Sequence, residues 1–181
     1  MGYRARMSES TDRFQSVLSA FDARVQATPA DAWGKPAPCE GWVARDVVAH
    51  VANNLRGFTG MDPVGADDEI LGAWNASRDA IVGLATTGDL STVVQGPFGP
   101  MPVEQILGQV ISMDVLVHTW DLARAVGGDE RLDPAVVSGA YSSLKPLDAM
   151  IRQPGFFAPK VEPPAGADEQ TEFLCFLGRQ V

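Results

Sequence analysis

The sequence has little cysteine, little positive charge and no long apolar run. Its only cysteines, Cys39 and Cys175, are too few and too far apart for a disulfide scaffold or a zinc ribbon. Fourteen lysines and arginines stand against 23 aspartates and glutamates. The resulting net charge of −9 would repel a phosphate backbone, which excludes nucleic acid and disfavours anionic membranes as partners. No stretch approaches the roughly 20 apolar residues that span a bilayer.

The sequence also predicts the cellular location and the domain organisation of the protein. The first ten residues lack the apolar segment of a secretory signal, so we expect a cytoplasmic protein with free thiols. A length of 181 residues with 45% hydrophobic residues is enough for one domain with its own core. A second methionine, Met7, follows a short polar start. We expect residues 1–7 to be a disordered N-terminal extension and residues 8–181 to be a single domain.

Apolar periodicity predicts an all-α fold. From Ser8 to Gln26 the apolar residues recur at three- and four-residue spacing, which is typical of an amphipathic helix. The segment from Thr92 to Pro102 is the only β-like stretch, and it predicts at most a short hairpin. Gly127 is expected to end the longest helix with a left-handed cap. The remaining helices are expected at 43–55, 67–86, 103–126, 134–151 with a kink at Pro146, and 168–177.

The two histidines of the chain both lie inside apolar helical runs. Asp114 and His118 are four residues apart, so a helix places both side chains on one face. His50 could supply a third ligand from a facing helix. Imidazole and carboxylate suit zinc, nickel, manganese or iron, and three protein ligands leave one position open. The alternative is that both histidines are hydrogen-bonded core residues and Asp114 is half exposed.

Two sequence motifs then identify a resemblance. The segments PCEGWVARDVVAHV at 38–51 and DVLVHTWDLA at 114–123 resemble the actinobacterial DinB-like metal-binding proteins related to mycothiol-dependent maleylpyruvate isomerase. The ending FLCFLGR at 173–179 is also similar to theirs. The resemblance implies a DinB-like four-helix bundle with one or two extra short helices. It also implies a divalent metal, zinc first, on His50, Asp114 and His118.

The resemblance implies a function and leaves alternatives open. It favours a thiol-using (mycothiol) transferase or isomerase that acts on a small electrophile. The isomerases carry an additional C-terminal domain and this sequence ends with the predicted bundle, so we expect related chemistry rather than maleylpyruvate isomerisation itself. One alternative is a metal-dependent hydrolase that uses metal-bound water. Another is a non-catalytic metal-binding or stress-response module. The sequence leaves a homodimer open.

Several residues near the motifs are secondary candidates. Asp121 lies near the face of His118, and it could orient a ligand or act as a catalytic base on metal-bound water. Its structural alternative is a salt bridge with Arg124 or Arg45. Val43 stands where the family usually has threonine, so the start of the second helix is expected to be less well capped. Asn53 and Asn54 could line the mouth of a cavity or lie at the solvated surface. Arg56 could meet an anionic substrate group but is expected at the surface, and Cys39 could be a nucleophile but is expected to be a packing residue.

Overall fold

Four long amphipathic helices form the framework of the protein. The structure is a computed structural model that describes residues 9–96, 99–153 and 157–181. The expected disordered extension over residues 1–7 lies outside the described residues. The four helices are α1 Glu9–Ala27, α2 Ala44–Thr59, α3 Ile70–Thr87 and α5 Ser112–Val126.

These helices pack as a four-helix bundle. Helix α1 contacts α3 and α5, and α2 contacts the same two helices from the other side. The predicted apolar stripe of α1 is buried in this core, which confirms the periodicity argument. The stripe consists of Phe14, Val17, Leu18, Phe21 and Val25.

A short hairpin interrupts the helices between α3 and α5. Strands β1 Val93–Gly96 and β2 Gly99–Pro102 pair antiparallel, with the Cα atoms of Val93 and Pro102 opposite each other. The prediction of one short hairpin is thus confirmed. After β2 the chain enters a short helix, α4 Val103–Gln105.

The stretch between α4 and α5 is wound as a π-helix over Ile106–Ile111. The Ser112 N–H donates to the Leu107 carbonyl, five residues back. Within this segment α1 comes very close, because a Cβ built on Gly108 would lie 2.5 Å from the Ser10 Cβ. The predicted single helix over 103–126 is therefore continuous but contains one wider turn. It ends as predicted, with Gly127 in the left-handed region at φ 74°.

The N-terminus of α2 corrects one expectation. Val43 makes no side-chain cap, but its own N–H donates to the Asp46 carboxylate at 2.9 Å. The N–H groups of Ala44 and Arg45 donate to loop carbonyls at 2.9 Å each. Because the loop supplies these acceptors, the helix start is well satisfied without a threonine.

The C-terminal part adds shorter helices. Helix α6 Pro134–Leu144 leads through a 3₁₀ turn, Lys145–Leu147, into α7 Asp148–Ile151, so the predicted kink at Pro146 is confirmed. Helix α8 Glu169–Phe176 packs against α6. Within the described ranges, no helix combines the length and apolar character needed to cross a membrane.

Candidate metal centre

Three potential metal ligands meet between α2 and α5. His50 lies on α2, and Asp114 and His118 lie one turn apart on the facing helix α5. The Asp114 Oδ1 atom is 3.4 Å from Nε2 of His50 and 3.4 Å from Nε2 of His118. One donor atom from each residue lies within 4.8 Å of the other two. The structure therefore brings together the three residues that the sequence predicted as ligands.

The spacing of these donors fits a metal ion better than it fits hydrogen bonds. Good N–H···O bonds measure about 2.7–3.2 Å, so separations of 3.4 Å are long for direct bonding. A tetrahedral ion with metal–donor bonds of about 2.0–2.1 Å holds its donors about 3.3–3.4 Å apart. Two imidazoles and a carboxylate are also a typical zinc donor set. The side chains are 35% exposed for His50, 26% for Asp114 and 8% for His118, so solvent reaches the cluster from one side.

In the described part of the chain, the close ion-pair contacts of the Asp114 carboxylate are to two imidazoles. Among the described residues no lysine or arginine forms an ion pair with it. Asn54 donates to its Oδ2 at 2.9 Å, and the same amide nitrogen lies 3.1 Å from His50 Nε2. Burial acts to raise the pKa of Asp114, but the nearby imidazoles of His118 and His50 hold that pKa well below its ordinary value. A proton on His118 or an added cation is what balances this carboxylate.

His118 is held from its other ring nitrogen by Asp121. Its Nδ1 lies 2.9 Å from Asp121 Oδ2, and the Asp121 side chain is 0% exposed. Burial acts to lower the pKa of His118, but the hydrogen bonds to Asp114 and Asp121 raise that pKa well above its ordinary value. A metal ion at Nε2 would compete with a proton for this nitrogen.

The partner of Asp121 differs from the predicted one. Arg179, just after α8, donates from Nε to Asp121 Oδ1 at 3.0 Å and from Nη2 to Oδ2 at 2.7 Å. The predicted partners bind elsewhere: Arg124 pairs with Glu130 at 3.2 Å, and Arg45 donates to two loop carbonyls. A partner 58 residues away could not be inferred from helical spacing.

Cys39 completes this second cluster. Its Sγ lies 3.4 Å from Asp121 Oδ2 and 3.6 Å from Arg179 Nη2. Cys39, His118 and Asp121 have donor atoms close enough for a metal ion. However, the Arg179 guanidinium already supplies the positive charge beside this carboxylate. The cluster with Asp114 is therefore the better cation site.

Trp42 forms an aromatic wall of the candidate centre. Its ring is nearly parallel to that of His118, with centroids 5.8 Å apart, and tilted towards that of His50 at 5.1 Å. Trp42 is half-buried and contacts both histidines.

The remaining candidates have structural contacts. Asn53 accepts from the Val64 N–H at 2.7 Å and so holds a loop. Arg56, expected at the surface, is buried and donates to the Ser77 hydroxyl and to the Asp62 carbonyl. Of this group, only Asn54 and Cys39 contact the two clusters.

The fold and the site define a helical-bundle protein with a histidine–carboxylate cluster between facing helices. Residues 14–95 match the family described as the mycothiol maleylpyruvate isomerase N-terminal domain. Over this segment the chain is therefore similar to that family, as the motifs predicted. The matched segment contains His50 and ends before Asp114 and His118.

Similar whole chains support the relationship. Two uncharacterized proteins, from two strains of Mycobacterium tuberculosis, are each 29% identical over 175 residues, covering 92% of this chain and 96% of theirs. A crystal structure of a histidine-to-alanine mutant of the mycothiol-dependent maleylpyruvate isomerase aligns with a TM-score of 0.52 and 16% identity. That alignment covers 81% of this chain and 73% of the other. It confirms the predicted DinB-like, mostly helical fold.

Proposed function

We propose that this protein binds a divalent metal ion, zinc in the first place, through His50, Asp114 and His118. The observation that carries the proposal is that Asp114 Oδ1 lies 3.4 Å from Nε2 of His50 and 3.4 Å from Nε2 of His118, while no lysine or arginine of the described residues forms an ion pair with this carboxylate. Nickel, manganese and iron accept the same donor types, so the ligand set leaves them as alternatives to zinc.

The surrounding residues orient these donors. Asp121 accepts from Nδ1 of His118, which leaves Nε2 free to face Asp114 and His50. Asp121 is fully buried and paired with Arg179. That geometry supports an orienting role for Asp121 rather than the role of a base towards solvent water, and nothing in the site favours the hydrolase alternative.

We further propose that the centre serves a reaction of a low-molecular-weight thiol. The names of the matched family and of the aligned structure both contain mycothiol, a small thiol. A bound divalent metal ion supplies a Lewis acid that favours thiolate over thiol at neutral pH. Three protein donors leave room for such a ligand, so the activity proposed is an S-transferase or isomerase acting on a small electrophile.

Metal analysis of the purified protein tests the first step. We expect near-stoichiometric zinc in the parent after loading and dialysis. The variants His50→Ala, Asp114→Asn and His118→Ala should each lose more than about tenfold in zinc affinity, because each removes a ligand. Asp129→Asn is the matched acid-to-amide control, since Asp129 lies in an exposed ion pair with Arg131. A parent that takes up no zinc, nickel, manganese or iron contradicts the proposal.

A cobalt-loaded sample tests the second step. Adding mycothiol, or a simpler small thiol, should produce near-ultraviolet absorption from a thiolate on cobalt, and this signal should be missing in Asp114→Asn. Metal-loaded protein that shows neither this signal nor thiol consumption with electrophiles favours a non-catalytic metal-binding module. A homodimer and a cytoplasmic location remain predictions from the sequence.

A further inference from the structure

A chain of contacts joins the C-terminal segment to the candidate metal centre. Arg179 follows α8, and its side chain is 12% exposed. Its guanidinium binds both carboxylate oxygens of Asp121, at 3.0 Å and 2.7 Å. The second of these oxygens lies 2.9 Å from His118 Nδ1. The contacts therefore run from Arg179 through Asp121 to one candidate ligand.

The form of this contact matters for orientation as well as for charge. Two roughly parallel N–H···O bonds from one planar group fix the plane of a carboxylate, whereas a single ammonium contact does not. Asp121 has no exposed surface, so water does not complete its hydrogen bonding. The direction of Oδ2 towards His118 therefore depends on how Arg179 holds the carboxylate.

Cys39 also contacts the pair formed by Arg179 and Asp121. Its Sγ contacts both Arg179 and Asp121, so residues from the loop before α2, from α5 and from the C-terminal segment meet at one point. Arg179 Nη1 also donates a hydrogen bond to the Leu177 carbonyl at 3.3 Å, which holds the guanidinium from its own segment.

We propose that Arg179 is a positioning residue for the candidate metal centre. It fixes the Asp121 carboxylate, which keeps the proton of His118 on Nδ1 and directs Nε2 towards Asp114 and His50. This inference rests on the proposed metal binding, and it adds the C-terminal segment to the residues on which that binding depends.

Zinc affinity of Arg179 variants, measured by competition with a chromophoric chelator, tests the inference. Arg179→Met should weaken zinc binding about 10–100-fold, as expected when an outer hydrogen-bonding partner is lost. Arg179→Lys keeps the charge without the planar fork, so it should recover only part of the loss and provides a second variant if Arg179→Met does not fold. Arg152→Met is the matched control, because Arg152 also pairs with an aspartate and reaches the end of α8 but does not contact Asp121.

A double-variant comparison separates positioning from general stabilisation. If Arg179 acts through Asp121, then Asp121→Asn combined with Arg179→Met should lose no more zinc affinity than Asp121→Asn alone. Nitrogen-15 spectra of the zinc-loaded parent should show one Nδ1–H tautomer for His118, and Arg179→Met should broaden or shift that signal. Additive losses, or zinc affinity unchanged in both Arg179 variants of a zinc-binding parent, overturn the inference alone. A parent without zinc overturns the proposed function and the inference together.

Discussion

Two aspartates on the same helix flank His118, and their surroundings are opposite. Asp121 is fully buried, contacts Nδ1 and is neutralised by a guanidinium that binds both of its oxygens. Asp114 is 26% exposed and faces Nε2, and its hydrogen-bond and ion-pair contacts among the described residues are to the Asn54 amide and two imidazoles. Both carboxylates have a lowered pKa despite their burial, because of His118 and Arg179 at Asp121 and because of His118 and His50 at Asp114.

This difference shows how one helix face can hold both a structural and a binding carboxylate. A buried charge with a complete set of partners is part of the folded framework. A charge whose balance depends on an exchangeable proton can accept a metal ion instead. His118 lies between the two carboxylates. Its Nδ1 faces Asp121, whose charge is paired with Arg179, and its Nε2 faces Asp114, where a cation could bind.

The largest expected effect is a difference in the free energy of unfolding between variants of the two aspartates. In the presence of a chelator, Asp121→Asn should lower the free energy of unfolding by about 3–5 kcal/mol, because it leaves Arg179 buried without its counter-charge. Asp114→Asn should cost only about 1 kcal/mol, because water can reach the side chain. Urea unfolding followed by circular dichroism measures both, and equal losses would show that the two sides are not distinct.

A second, smaller effect is the pH dependence of the metal-free protein. The lowered pKa values of Asp114 and Asp121 stabilise the fold above the ordinary value of 3.8, and this contribution is lost as pH falls further. The raised pKa of His118 stabilises the fold below its ordinary value of 6.5, and this contribution is lost as pH rises through the raised value.

Metal-free protein should therefore be most stable between about pH 4 and 6.5. The melting temperature, measured with and without zinc from pH 4 to 9, checks this. The increase caused by zinc should grow with pH, because the metal competes with a proton on His118. A zinc effect that is largest in acid would contradict the assignment of His118 as a ligand.

The smallest expected effect concerns Trp42, which contacts both histidines. Titrating the protein with cobalt should partly quench its tryptophan fluorescence, because Trp42 adjoins the proposed ligands. Trp42→Phe should reduce that quenching while changing cobalt affinity less than about threefold, since it removes no ligand. Trp74→Phe is the control, because Trp74 packs against Phe21 away from the centre. Quenching that is undiminished in Trp42→Phe would place the metal elsewhere.

Local patterns predicted most of the fold. The apolar stripe of α1, the hairpin, the left-handed Gly127 and the kink at Pro146 each depend on neighbours within a few residues. The same holds for Asp114 and His118, whose spacing alone puts them on one face. The π-helical turn was missed, because its wider hydrogen bonding depends on packing and has no simple sequence signal.

The parts of the site that escaped prediction depend on distant chain segments. Arg179 reaches Asp121 only because α8 brings the C-terminal segment back to α5. Loop carbonyls satisfy the start of α2 despite Val43, and Arg56 is buried by carbonyls and a hydroxyl from other segments. The 173–179 motif was noticed in the sequence, but its role required the path of the chain.

The π-helical segment Ile106–Ile111 also fixes the phase of the helix that follows. One extra residue in a turn rotates all later side chains by about 100° around the helix axis compared with an uninterrupted α-helix. Asp114 and His118 therefore face α2 only because the chain accommodates that residue before them. A helix of identical composition but regular winding would present a different set of side chains to His50. The position of the site therefore depends on the winding of the helix as well as on its residues.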